Sequence, residues 1–116
     1  MSKPKYLPEI RVKLEGVAPG DRAVPLDYPD NLGKRTKLGG EPDWIQGDDT
    51  PVCASCGEAM IFVAQIDSIE QDNEHNPLGR DGLGRADYEY MFGDVGMIYV
   101  FFCFDCCRSA CVDQCY

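Results

Sequence analysis

The chain has 116 residues, 44% of them hydrophobic, and a formal net charge of −9. That length makes a single domain, residues 1–116, with a modest core that a metal cross-link would help to hold. A surface this acidic repels phosphate backbones, which argues against nucleic-acid binding, and no segment approaches the roughly 20 apolar residues of a membrane helix.

Charge is unevenly placed. Residues 1–40 carry eight basic and five acidic side chains, a balance of +3, whereas residues 41–116 carry three basic and fifteen acidic, a balance of −12. Such a balance serves plain solubility or a basic protein partner. The N-terminus MSKPKYLPEIRV has charges but no apolar run behind them, unlike a secretory signal, and a soluble, cytoplasmic protein is expected.

In chain order, Glu9–Leu14 alternates Ile10, Val12 and Leu14 with Arg11 and Lys13, a two-residue period that predicts a half-buried strand. From Gly16 to Pro51 glycines and five prolines predict an irregular wrap with short extended pieces. Within it the only tryptophan, Trp44, follows the paired glycines Gly39 and Gly40, and Trp44 and Ile45 are expected to dock onto the core. Met60–Asp67 is apolar on both faces and reads as a central strand. Residues 68–93 form a long, polar, Gly-rich excursion. A second strand is predicted over Met97–Phe104, and the tail Ser109–Tyr116 can form a last one. MIFV at 60–63 and MIYV at 97–100 are near-identical, as neighbouring strands of one sheet would be. No long helix is evident, so the expected class is β-rich α+β: a mostly antiparallel sheet with a zinc-knuckle pair at one end and a long irregular insertion.

Seven cysteines in a chain without an export signal point to metal ligation rather than disulfides. Cys53-Ala-Ser-Cys56 and Cys103-Phe-Asp-Cys106 each present two thiolates on one tight turn, and zinc takes four ligands tetrahedrally. Gly57 suits the positive backbone dihedral that such a knuckle needs. One pair precedes a predicted strand and the other ends one. If these strands are antiparallel neighbours, both knuckles meet at one end of the sheet. Cys107, beside Cys106, is an alternative fourth ligand, while Cys111 and Cys115 read as ordinary buried cysteines.

Catalytic patterns are lacking. His75, the only histidine, lies in the hydrophilic run 72–76 and reads as a loop residue. Asp67, Glu70, Asp72 and Glu74 lack the spacing and central glycine of a calcium loop, and the glycines at 79, 82 and 84 are not followed by the Lys-Ser/Thr of a phosphate loop. Four thiolates would close a zinc shell against water, which disfavours a hydrolase.

KLGGEPDWIQ at 37–46, CASCGEAMIFVAQID at 53–67 and GDVGMIYVFFCFDC at 93–106 resemble the YwqG-like bacterial domain family. The motif order (Leu-Gly-Gly-x-Pro-x-Trp, then CxxCG, then a hydrophobic strand containing Gln) is also similar to the eukaryotic programmed cell death 2 family. The resemblance implies an antiparallel β-rich fold and a non-enzymatic role, chaperone-like or as an immunity protein. It also implies metal-knuckle positions at Cys53, Cys56, Cys103 and Cys106, and a structural signature turn at Gly39, Gly40, Pro42 and Trp44. A basic partner would be met by Glu70, Asp72, Glu74, Asp87 and Glu89, chosen for their clustering. The other readings are a cysteine-based redox or thiol enzyme, and a purely structural oligomeric component.

Overall fold

The computed structural model describes residues 5–7, 9, 11–21, 35–68, 90, 92 and 96–115. Its centre is a four-stranded antiparallel sheet in the order β1-β2-β3-β4, with β1 at Lys37–Leu38, β2 at Ile61–Asp67, β3 at Gly96–Cys103 and β4 at Arg108–Cys115. The three long strands fall within a residue or so of their predicted bounds, because each is a compact β-branched, aromatic or alternating run between turn signals. The β-rich antiparallel part of the expected class is present, and the described residues contain no helix that would show its α part. The 68–93 excursion lies almost entirely outside the described residues.

One expectation fails outright. The described part of Glu9–Leu14 (residues 9 and 11–14) has no regular secondary structure, and every described residue in it is exposed. Alternation alone does not make a strand. The backbone donors and acceptors need a neighbouring strand, and no strand of the described sheet runs beside this segment.

Two-residue alternation sorts the sheet into unlike faces. Along β3, Met97, Tyr99, Phe101 and Cys103 are buried, while Ile98, Val100 and Phe102 between them are only half-buried. Register places Asp67, Gln65 and Phe62 of β2 opposite Met97, Tyr99 and Phe101, and Gln114, Val112 and Ala110 of β4 opposite the same three. A bulge between Phe62 and Ala64 keeps both halves of β2 on that face. Trp44 covers it as expected: its ring lies 4.5 Å from that of Tyr99 and 5.8 Å, stacked, from that of Phe101.

The segment carrying Trp44 is held by three polar side chains that project from the buried face. Gln65, fully buried, donates to Arg35 O (2.6 Å) and Asp43 Oδ2 (2.9 Å) and accepts from Asp43 N (3.0 Å). The Tyr99 hydroxyl donates to Asp43 O at 2.8 Å. Gln114 accepts from the amides of Ile45 and Gln46 and donates to Gly47 O at 2.8 Å. A loop on a hydrophobic surface would otherwise bury unsatisfied peptide groups, so polar side chains from the same face of β2, β3 and β4 make this burial affordable. Gly39 and Gly40 turn the chain into this segment at φ 69° and 74°, a region open to glycine, and the Gly39 amide donates to Val63 O at 2.7 Å.

Candidate metal centre

The antiparallel pairing of β2 with β3 sets Ile61 opposite Phe102, so the start of one strand lies beside the end of the other. The first knuckle precedes β2 in a narrow turn. The Cys53 amide donates to Glu58 O (2.9 Å), the Gly57 amide to Cys53 O (2.8 Å), and Val52 bridges Ala59. The second knuckle is the β3–β4 hairpin turn itself, closed by the Cys103–Arg108 pair with Phe104, Asp105, Cys106 and Cys107 at its tip. Each cysteine pair is thus fixed by its own turn, and the two turns are brought together by the sheet.

The sulfurs of Cys53, Cys56, Cys103 and Cys106 all lie within 4.8 Å of one another, and those of Cys56 and Cys103 are 3.7 Å apart. A tetrahedral ion with metal–sulfur bonds of about 2.3 Å needs sulfurs about 3.8 Å apart. The residues present therefore fit a four-thiolate metal site. Cys53 and Cys103 are buried, Cys106 is half-buried and Cys56 is exposed, so one corner of the cluster faces solvent.

Electrostatics points the same way. The amides of Cys56 and Ser55 donate to the Cys53 sulfur and hold its pKa down to about 7, despite its burial. At Cys56 the Glu58 amide pulls downward, but burial and the sulfurs of Cys103 and Cys53 prevail and the pKa rises. Cys106 is pushed up to about 12, first by Cys56, then by burial and by Cys53 and Cys103. Once one thiolate forms, its neighbours resist ionisation, and only a cation among them lets all four lose their protons. Metal uptake should then expel protons, and more at pH 7 than at pH 9, because Cys53 still carries part of its proton at about 7 and none well above it. Calorimetric titration in two buffers of different ionisation enthalpy measures that count. Acidification should conversely weaken the hold on the metal and finally release it, since protons compete for the thiolates.

The two knuckles share a detail that only their geometry reveals. Gly57, following Cys56, has φ 79°, and Cys107, following Cys106, has φ 55°. Cys107 therefore occupies the left-handed position of the second knuckle, exposed and outside the four-sulfur group, and Cys106 is the cluster member. The written signal was the parallel between Cys-Gly at 56–57 and Cys-Cys at 106–107. A side chain in this region costs roughly 1–2 kcal/mol, so Cys107→Gly should raise stability by about 1 kcal/mol with metal content unchanged, read by denaturant titration.

Of the other cysteines, Cys111 is exposed and Cys115 half-buried, which corrects the expectation that both are buried. Both lie on the face of β4 turned away from Trp44, where the Cys115 thiol lies 3.8 Å from Phe92 O and Cys111 stays exposed. All seven cysteines are free of disulfides. His75 and the five acidic residues Glu70, Asp72, Glu74, Asp87 and Glu89 lie outside the described residues. No helix among the described residues is long and apolar enough to cross a membrane.

Sheet and cluster together define a β-rich domain with a candidate metal site built from two cysteine knuckles. Among curated proteins, the chain is 30% identical over 103 residues to the uncharacterised protein YpfL of Salmonella typhimurium (strain LT2). The match takes in 87% of this chain and 20% of that protein, so the chain spans about a fifth of the length of this relative. No family model matches the chain, and no solved structure matches it significantly.

Proposed function

We propose that the chain is a non-enzymatic module, clamped by one structural zinc ion on Cys53, Cys56, Cys103 and Cys106, that binds a basic protein partner. The observation carrying the metal reading is the sulfur geometry, with all four atoms within 4.8 Å and one pair at 3.7 Å. Tetrahedral sulfur sets suit zinc or iron, and zinc stands above ferrous iron in intrinsic affinity for such ligands. Zinc would cross-link the two turns, and with four thiolates its shell has no position for a reacting water.

The partner reading rests on charge: a balance of −12 over residues 41–116 favours a basic polypeptide. The resemblance in motif order to the YwqG-like and programmed cell death 2 families supports a chaperone-like or immunity role over catalysis. Native mass spectrometry of the purified chain should find one zinc per chain. Iron, or no metal, would overturn the zinc reading. Immobilised protein should retain protamine at low ionic strength and release it as salt rises, because screening weakens attraction between exposed charges. Retention indifferent to salt would remove the basis for the partner.

A further inference from the structure

The sheet ends at β4, and among the described residues no strand pairs with its outer edge. That edge is long, eight residues, and among the described residues its last carbonyl is taken, where Gln46 Nε2 donates to Cys115 O at 2.7 Å. On the Trp44 side, Ala110 and Val112 pack against the core but stay half-exposed, as edge residues with a neighbour on one side only. On the other side of the same strand stands the exposed carboxylate of Asp113. An unblocked edge of this kind is a template for another strand.

The chain also carries a strand-patterned segment outside the sheet. Arg11-Val12-Lys13-Leu14 alternates basic and apolar residues, yet Val12 is 73% and Leu14 78% exposed, and neither has a neighbouring strand among the described residues. The two features are complementary. With Val12 and Leu14 on the side of Ala110 and Val112, the half-exposed edge of the core is covered. Alternation then puts Arg11 and Lys13 on the opposite face, that of Asp113. The other parity would set two cations on the apolar side and two aliphatic side chains beside a carboxylate, so pattern selects one facing. The wider charge distribution agrees, +3 over residues 1–40 against −12 over the remainder.

We propose that residues 11–14 of one copy add as a fifth strand to the outer edge of β4 in a second copy, and that the exchange is reciprocal. A second copy is the occupant because, among the described residues, the segment stands exposed off its own sheet and no strand pairs with the β4 edge, while the two match in pattern and charge. Every copy holds both halves of the pairing, and reciprocal exchange satisfies both in a closed pair.

Sedimentation equilibrium of the full chain with zinc should show a concentration-dependent dimer. Val12→Pro removes an amide donor and the apolar side chain from an exposed segment, and should leave a monomer with zinc content and Trp44 emission unchanged. Asp113→Lys should weaken association about tenfold, and adding Lys13→Asp should restore it. Zero-length carbodiimide coupling of Lys13 to Asp113 in an equal mixture of light and ¹⁵N-labelled chains should yield mixed-isotope cross-linked peptides. A monomer at every concentration, a dimer indifferent to Val12→Pro, or cross-links only between like-labelled peptides would each overturn the proposal. The last would mean that the strand folds back on its own sheet. Zinc content measured on the same samples keeps this outcome separate from the fate of the metal site.

Discussion

Replacing Cys56 with serine is expected to abolish cooperative folding, although its side chain is exposed and contributes little to packing. Exposure is what makes this position informative. Cys53 and Cys103 belong to the buried core, so their loss would mix metal release with a packing defect. Cys56 can act on the fold only through the cluster. Structural zinc contributes an apparent binding free energy of about 10–16 kcal/mol near neutral pH, comparable to or larger than the typical total stability of about 5–15 kcal/mol. A strong chelator should therefore reproduce the Cys56→Ser phenotype in the unaltered protein, with loss of the cooperative thermal transition by circular dichroism and a red-shifted Trp44 emission. Cys111→Ser should melt like the parent, since that exposed residue lies outside the four-sulfur group. A Cys56→Ser protein, or a parent protein in excess chelator, that keeps the cooperative melt of the untreated parent would show that the fold does not depend on the metal.

Asp67→Ala is expected to cost about 3–5 kcal/mol, the penalty for removing one partner of a buried ion pair. At the opposite end of the sheet from the cysteines, Asp67 Oδ2 lies 3.3 Å from Arg35 Nε, with side chains only 1% and 3% exposed. Burial pushes the Asp67 pKa upward, and the Arg35 guanidinium and the Ser68 amide draw it back only in part. The sign follows from the direction. A carboxyl raised above its ordinary 3.8 contributes most to stability below that value, and its contribution declines as pH rises through the folded pKa. Asp67 therefore does not make the fold acid-labile, and acid lability should track metal release. The pair is better viewed as a device that seats residues 35–36 on the sheet, together with the Asp67 amide donating to Thr36 Oγ1 at 3.0 Å. Consistent with that view, Arg35→Met combined with Asp67→Leu should recover stability to within about 1 kcal/mol of the parent in urea titrations, because two matched apolar groups need no counter-charge. A single Asp67→Ala variant as stable as the parent would exclude this role.

Ile61–Asp67, Gly96–Cys103 and Arg108–Cys115 could be read as strands because each run is short, rich in strand-forming residues or alternating, and bounded by turns. The cysteine spacing identified the candidate ligands for a related reason: a two-residue gap forces both sulfurs to one side of a turn wherever that turn is located. These are local properties, decided within a few residues. The same local rule misled at Glu9–Leu14, where alternation is present and a sheet partner is not. Cys111 misled in the same way, since its exposure depends on which face of β4 the sheet leaves uncovered.

Tertiary structure alone decided the rest. Gln65, Tyr99 and Gln114 are far apart along the chain, and their common task of satisfying the Trp44 segment exists only once register aligns three strands. The choice of Cys106 over Cys107 rested on a backbone dihedral in the hairpin turn. Convergence of Cys53 and Cys56 with Cys103 and Cys106 required β2 and β3 to run antiparallel side by side. Periodicity and spacing are written into neighbouring residues, whereas register, facing and burial arise from contacts between segments that the chain order leaves apart.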